Sequence, residues 1–181
     1  MTNNTAGGKL LIATPKITNS VFNKSVVYIH TDDDTGSIGV MLNKRMDYDM
    51  AVAWGKQIGW EHPNAVFQGG PVERQLGYVI HSTDYARDTS VQLNSVLSYT
   101  GGRYIVDDIN RGIGPNQFVL LTGYCQWQPY QLDTELALGW WTLADFDEEF
   151  FFQGLDRDAG WEHAINVAAE NKAASILDMA Y

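Results

Sequence analysis

Short apolar runs broken by glycine, proline and aspartate dominate the chain, and in four places they give way to segments read as helix. Residues 1–8 are polar and glycine-containing and read as a flexible tail. Leu10 to Ala13 form an apolar run ended by Pro15, which predicts a short strand. Val26, Val27, Tyr28 and Ile29 predict a buried strand, residues 32–36 its acidic turn, and residues 38–42 the returning strand of a hairpin. Met50, Trp54 and Ile58 are then spaced by four, with Asp49 placed to cap, so a helix is expected to end near Gly59. Val66 and Phe67 resume a strand that stops at Gly69-Gly70-Pro71, and residues 78–81 give another beyond that turn.

The stretch 91–100 is compatible with extended chain, whereas Ile105, Val106 and Ile109 followed by Gly112 predict a short helix closed by glycine. Residues 118–121 read as a strand leading to a turn at Gly123, and Pro129 as the first turn of a helix reaching about Leu138. Trp140, Trp141, Leu143 and Phe146 lead through an acidic segment to Phe150, Phe151 and Phe152, expected as a strand burying its rings. A last helix is capped by Asp158 and shows Trp161, Ile165 and Ala168 on related faces. No repeat or long linker divides the chain, so residues 9–181 are expected as one domain mixing helices and strands.

Charge narrows the partners. Twenty-two acidic against twelve basic residues give a net charge of -10, a field that repels nucleic-acid backbones and anionic lipid head groups. The basic residues are scattered, with Lys44 and Arg45 as the one adjacent pair, so direct nucleic-acid binding is disfavoured. Cys125 is the only cysteine, which excludes an internal disulfide and every cysteine-pair metal or redox motif. The N-terminus lacks the order of a secretory signal, and no apolar run approaches the ~20 residues that cross a bilayer. A cytoplasmic protein is expected.

Candidate chemistry is sparse. Gly69-Gly70-Pro71 suits either a tight strand-ending turn or backbone N–H groups offered to an anion, since glycine lets a ligand approach closely. Tyr124, Trp127 and Gln131 surround the next turn and serve either as core packing or as contacts for an anionic or carbonyl-bearing ligand at a helix start. Cys125 could act as a nucleophile given a base, with His30 and His81 as the candidate bases and Glu135 as a further player, although no spacing brings either histidine beside the thiol. Asp32-Asp33-Asp34 lacks the glycine and distal glutamate of a calcium loop, and His62 and His163 lack paired spacing, so no metal and no cofactor is expected.

Taken in order, residues 10–15, 22–29, 39–44 and 69–72, then 123–136 with Gln131-Leu132 and Glu135-Leu136, and finally Trp161, resemble the YqgE/AlgH family over nearly the whole chain. The resemblance implies a single compact α+β domain with a mixed, bifurcated or partly barrel-like sheet surrounded by helices. Members carry a transcriptional-regulator label or none, and the family has no settled reaction or cofactor. Cys125 and Gln126 stand where the family usually holds a small residue and glycine, and Tyr130 replaces a usual glycine, which would narrow any cleft beside Gly123. The leading expectation is a non-enzymatic regulatory or adaptor domain that binds a protein partner or small anionic ligand near Asn43, Gly70 and residues 124–131. A hydrolase or transferase using Cys125, Glu135 and His81 is the alternative, and a DNA-binding regulator is the third.

Overall fold

β-Branched and aromatic residues in short runs form strands because their side chains pack well on a pleated surface, and nine such runs do so in the computed structural model, which describes residues 5–152 and 157–179. In chain order come β1 (Leu10–Ala13), β2 (Val26–Asp33), β3 (Gly36–Met41), α1 (Tyr48–Gly55), β4 (Val66–Gln68), β5 (Val72–Ser82), β6 (Ser90–Gln92) and β7 (Leu97–Gly101). There follow α2 (Arg103–Asn110), β8 (Phe118–Trp127), α3 (Gln131–Ala137), β9 (Trp141–Ala144), α4 (Glu148–Phe152) and α5 (Arg157–Asp178). The class is α+β, with mixed strand pairing as expected. Contacts gather into two units, residues 44–124 and the two flanking segments taken together.

In the flanking unit all pairings are antiparallel, in the order β8–β3–β2–β1–β9, with β8 entering through its last residues, 125–127. Leu11, Ala13, Val27, Ile29, Met41, Cys125 and Trp127 form its core. The Trp161 indole of α5 donates to the Ala13 carbonyl at 2.6 Å. The expected tail begins with residues 1–4, outside the described ones. Residues 5–8 are held, because Ala6 is buried, its N–H reaches Asp32 Oδ2 at 2.7 Å, and Gly8 N–H reaches the Ile29 carbonyl at 2.8 Å. Packing therefore starts ahead of Lys9.

The central unit orders its strands β6–β7–β5–β8, with β4 parallel to β8. Its core joins Ala51, Val66, Val79, Ile105, Ile109 and Leu120. The ambiguous stretch 91–100 is a hairpin, whose Asn94 side chain accepts the N–H groups of Val96 and Leu97 at 2.9 and 2.8 Å. Helix α1 begins at Tyr48 with Asp47 at the N-cap position, two residues ahead of the expected cap, so Asp49 lies within its first turn and does not cap. Its buried face is built on Ala51 and Gly55, while Met50 is 56% exposed, because the larger apolar stripe lies beside the small-residue one.

Two further expectations are corrected. Gly123 is not a turn: β8 runs through it, and the residue takes φ of 69° where the β5 register jumps from Gly77 opposite Thr122 to Val72 opposite Tyr124. A glycine inside a strand marks such an irregularity as readily as it marks an end. Residues 150–152 belong to a helix, not a strand, since the Asp147 carboxylate accepts the Phe150 N–H at 3.2 Å in the manner of an N-cap. Three successive phenylalanines carry no period by which to choose between the two.

Gly39 of β3 makes a close approach, because a β-carbon there would lie 2.7 Å from the Tyr28 carbonyl oxygen and 2.9 Å from a Val27 methyl. Gly39→Ala is expected to lower stability by about 1 to 3 kcal/mol through backbone displacement, read as a lower urea midpoint at unchanged slope.

Candidate functional site

Glu135 gathers most of the flanking unit's predicted residues around one carboxylate. Its Oε2 accepts the indole N–H of Trp127 at 3.0 Å and that of Trp141 at 2.7 Å, while its Oε1 accepts the Gln131 amide at 2.9 Å. Both indoles are buried, and Phe22 packs against each of them. Gln131 also accepts the Gln128 N–H at 2.9 Å, which closes the turn before α3. The structure thus brings Trp127, Gln131 and Glu135 together, in bonds that hold β8, α3 and β9 to one another. Asn43 is fully buried elsewhere in this unit, where it accepts the Val26 N–H at 2.8 Å and donates to the Lys24 carbonyl at 2.9 Å. Cys125 sits in the core, and burial pushes its thiol up to about 12, which leaves it protonated and poorly nucleophilic.

The other predicted residues belong to the central unit. Gly69 donates its N–H to the Thr122 carbonyl at 2.8 Å, and a β-carbon on it would lie 2.4 Å from the Gly123 carbonyl oxygen. The Tyr78 hydroxyl donates to that same Gly123 oxygen at 2.9 Å. Gly69 thus lets two backbones touch, and the amide it would offer an anion is already engaged. Gly70 is buried beside it, and Tyr124 is half-buried opposite Val72.

His81 is also interior. Its Nδ1 lies 2.8 Å from the Ser82 carbonyl, which can only accept, so Nδ1 carries the proton and Nε2 accepts from the Thr100 hydroxyl at 2.8 Å. The chain of hydroxyls continues to Ser90 at 2.6 Å and ends at the Arg87 N–H. Desolvation lowers the His81 pKa, as this neutral tautomer requires. Sequence reasoning missed the neighbouring charge cluster, in which buried Asp108 accepts the Arg87 guanidinium and, at 2.7 Å, the Tyr85 hydroxyl. Arg87 and then Tyr85 hold its carboxyl below the usual range. No spacing links residues 85, 87 and 108, so no linear signal could have found it.

A cavity of about 280 Å3 opens in the central unit between Trp54, the floor residues Val79, Val106 and Leu120, and Arg103 at its mouth. Another, of about 210 Å3, lies in the flanking unit against Asp32, Asp33, Asp34 and Asp133. There Asp32 and Asp33 are bonded within the chain, to Ala6, Ser37 and Thr35.

The family DUF179, described as AlgH-like, matches residues 10–172. The chain belongs to this AlgH-like family. A UPF0301 protein of Methylococcus capsulatus is 34% identical over 165 residues, covering 89% of this chain and 90% of that protein. A UPF0301 protein of Rickettsia rickettsii is 30% identical over 163 residues, covering 87% and 86%. The solution structure of the AlgH protein from Pseudomonas aeruginosa superposes with a TM-score of 0.70 at 22% identity, over 91% of this chain and 89% of that one. A crystal structure from Corynebacterium diphtheriae gives 0.63 at 23% identity, over 81% and 79%. Both likenesses carry the fold.

In this AlgH-like chain the departures from the family pattern acquire physical meaning. Tyr130 precedes α3 with φ of 64°, a region that costs a non-glycine residue about 1–2 kcal/mol, which explains glycine as the usual occupant. Its ring is 74% exposed. Cys125 is directed into the core, so its bulk narrows no cleft.

Glu135→Ala would strand two buried indole donors and is expected to cost about 2 to 5 kcal/mol, with Glu135→Gln costing less; chemical denaturation checks both. His81 makes stability depend on pH. Its folded pKa lies below the unfolded value near 6.5, so the unfolded chain binds more protons, and the contribution present above that value is lost as pH falls through the folded pKa. Urea midpoints taken from about pH 7.5 down to about pH 5 should fall, and His81→Gln should flatten the slope.

Proposed function

We propose that this AlgH-like chain is a non-enzymatic regulatory or adaptor domain that works by binding. One observation carries the reading: the three side chains best suited to catalysis are all committed to structure. Cys125 is a buried neutral thiol, His81 is bonded through both ring nitrogens, and Glu135 accepts three donors. A hydrolase or transferase would need one of them released and facing a substrate. The net charge of -10 argues against a DNA-binding regulator. No helix among the described residues is long and apolar enough to cross a membrane, and a cytoplasmic setting fits the binding reading.

A thermal-shift screen against aromatic carboxylates, sugar phosphates, nucleotides and divalent cations tests this. A ligand held at ~100 times its dissociation constant should add about 2.7 kcal/mol, a rise of roughly 5 to 11 °C for a chain of this length, and should be recovered unchanged. Time-dependent conversion of any compound, abolished by Cys125→Ala or His81→Gln, would overturn the reading.

A further inference from the structure

The cavity beside α2 is assembled from stretches distant in sequence, and its lining differs from the rest of the molecule in charge. In a chain of net charge -10, no carboxylate lines it, and its single charged lining residue is Arg103. We propose that this cavity binds a small aryl anion, a ring bearing one carboxylate or phosphate, with the ring against the half-buried Trp54, Ile58 and Tyr78 and the charge on the Arg103 guanidinium. The proposal rests on the binding reading above and gives it a site and a ligand class.

Four features support that chemistry. Arg103 is 83% exposed and pairs with Asp107 at 3.9 Å, a surface contact of little worth, so its guanidinium gives up almost nothing in turning to a ligand. Helix α2 starts here with Gly102 as an N-cap that supplies no side-chain bond, and the positive end of its dipole has the same sign as Arg103. Tyr78 and Thr100 also line the cavity, but their hydroxyls are bonded to the Gly123 carbonyl and to His81, which leaves side-chain polar recognition to Arg103, Gln57 and Gln75. Finally, Gly77 preserves the indole wall: a β-carbon there would lie 2.3 Å from the far edge of Trp54, so only glycine leaves that ring against the strand.

Size then selects among anions. At about 280 Å3 the cavity falls just below the ~300 Å3 at which sites for drug-sized ligands begin. That volume suits one ring and a short acidic arm. An apolar floor with a half-buried tryptophan favours a ring over a sugar, since aromatic faces and edges pack with geometric preference.

The test is an amide-resolved NMR titration of the full chain with benzoate and phenyl phosphate, using benzamide as the uncharged control. Shifts should concentrate at Gly77, Gly102 and Arg103. Arg103→Gln, on an exposed side chain, should weaken both anions roughly tenfold or more while leaving benzamide unchanged, the loss of one charge-assisted hydrogen bond. The site is overturned if the anions move no amide around the cavity, if they move amides only elsewhere, or if Arg103→Gln binds them as well as the parent. Chemical conversion of a probe, visible in its own proton signals, would instead sink the non-enzymatic reading. Unconverted probes with silent cavity amides would sink the site alone.

Discussion

Burying an indole hides an N–H that must find an acceptor, and the flanking unit buries two of them against the single carboxylate of Glu135. Much follows from that arrangement. Trp127 ends β8 and Trp141 begins β9, so one acidic side chain on α3 fixes where a strand stops and the next one starts. Gln131 extends the constraint backward to the turn at Gln128. The left-handed backbone of Tyr130 is tolerated because the structure on both sides of it is held in this way.

The central unit solves a comparable problem with hydroxyls. Ser90 and Thr100 pass hydrogen bonds inward to a neutral His81, and Tyr85 with Arg87 satisfies the buried carboxylate of Asp108. Networks of this kind specify a core and are poor places for chemistry, because their groups are already engaged with one another. The groups that invite a catalytic reading are the ones the interior consumes. Arg103, at the mouth of an apolar cavity, is differently placed.

Local period made β1, the β2–β3 hairpin, α2 and α5 legible in the sequence, because each has its own apolar spacing and its own punctuation. It failed where the signal was ambiguous in kind. Gly123 is needed for close approach to Gly70 inside a strand, and glycine for that purpose is written the same way as glycine for a turn. The consecutive rings of α4 suit helix and strand alike. Of the candidate site, Trp127, Gln131 and Glu135 were visible as neighbours in sequence, one helical turn or so apart. Their purpose was not, since it is set by Trp141, which arrives on another element. The cavity was invisible for the same reason: Trp54, Val79, Arg103 and Leu120 are neighbours only after folding.

The way the chain is divided also orders its assembly. Residues 44–124 are contiguous, so that unit closes on short and intermediate loops, whereas the flanking unit draws on both ends of the chain. The β2–β3 hairpin can form as soon as it leaves the ribosome. Strand β1 cannot complete its pairing until Leu10 meets Ala144, after the whole central segment has been made. During synthesis the free edge of β1, with Leu11, Ile12 and Ala13 waiting for β9, is therefore the segment with the longest exposure to wrong partners.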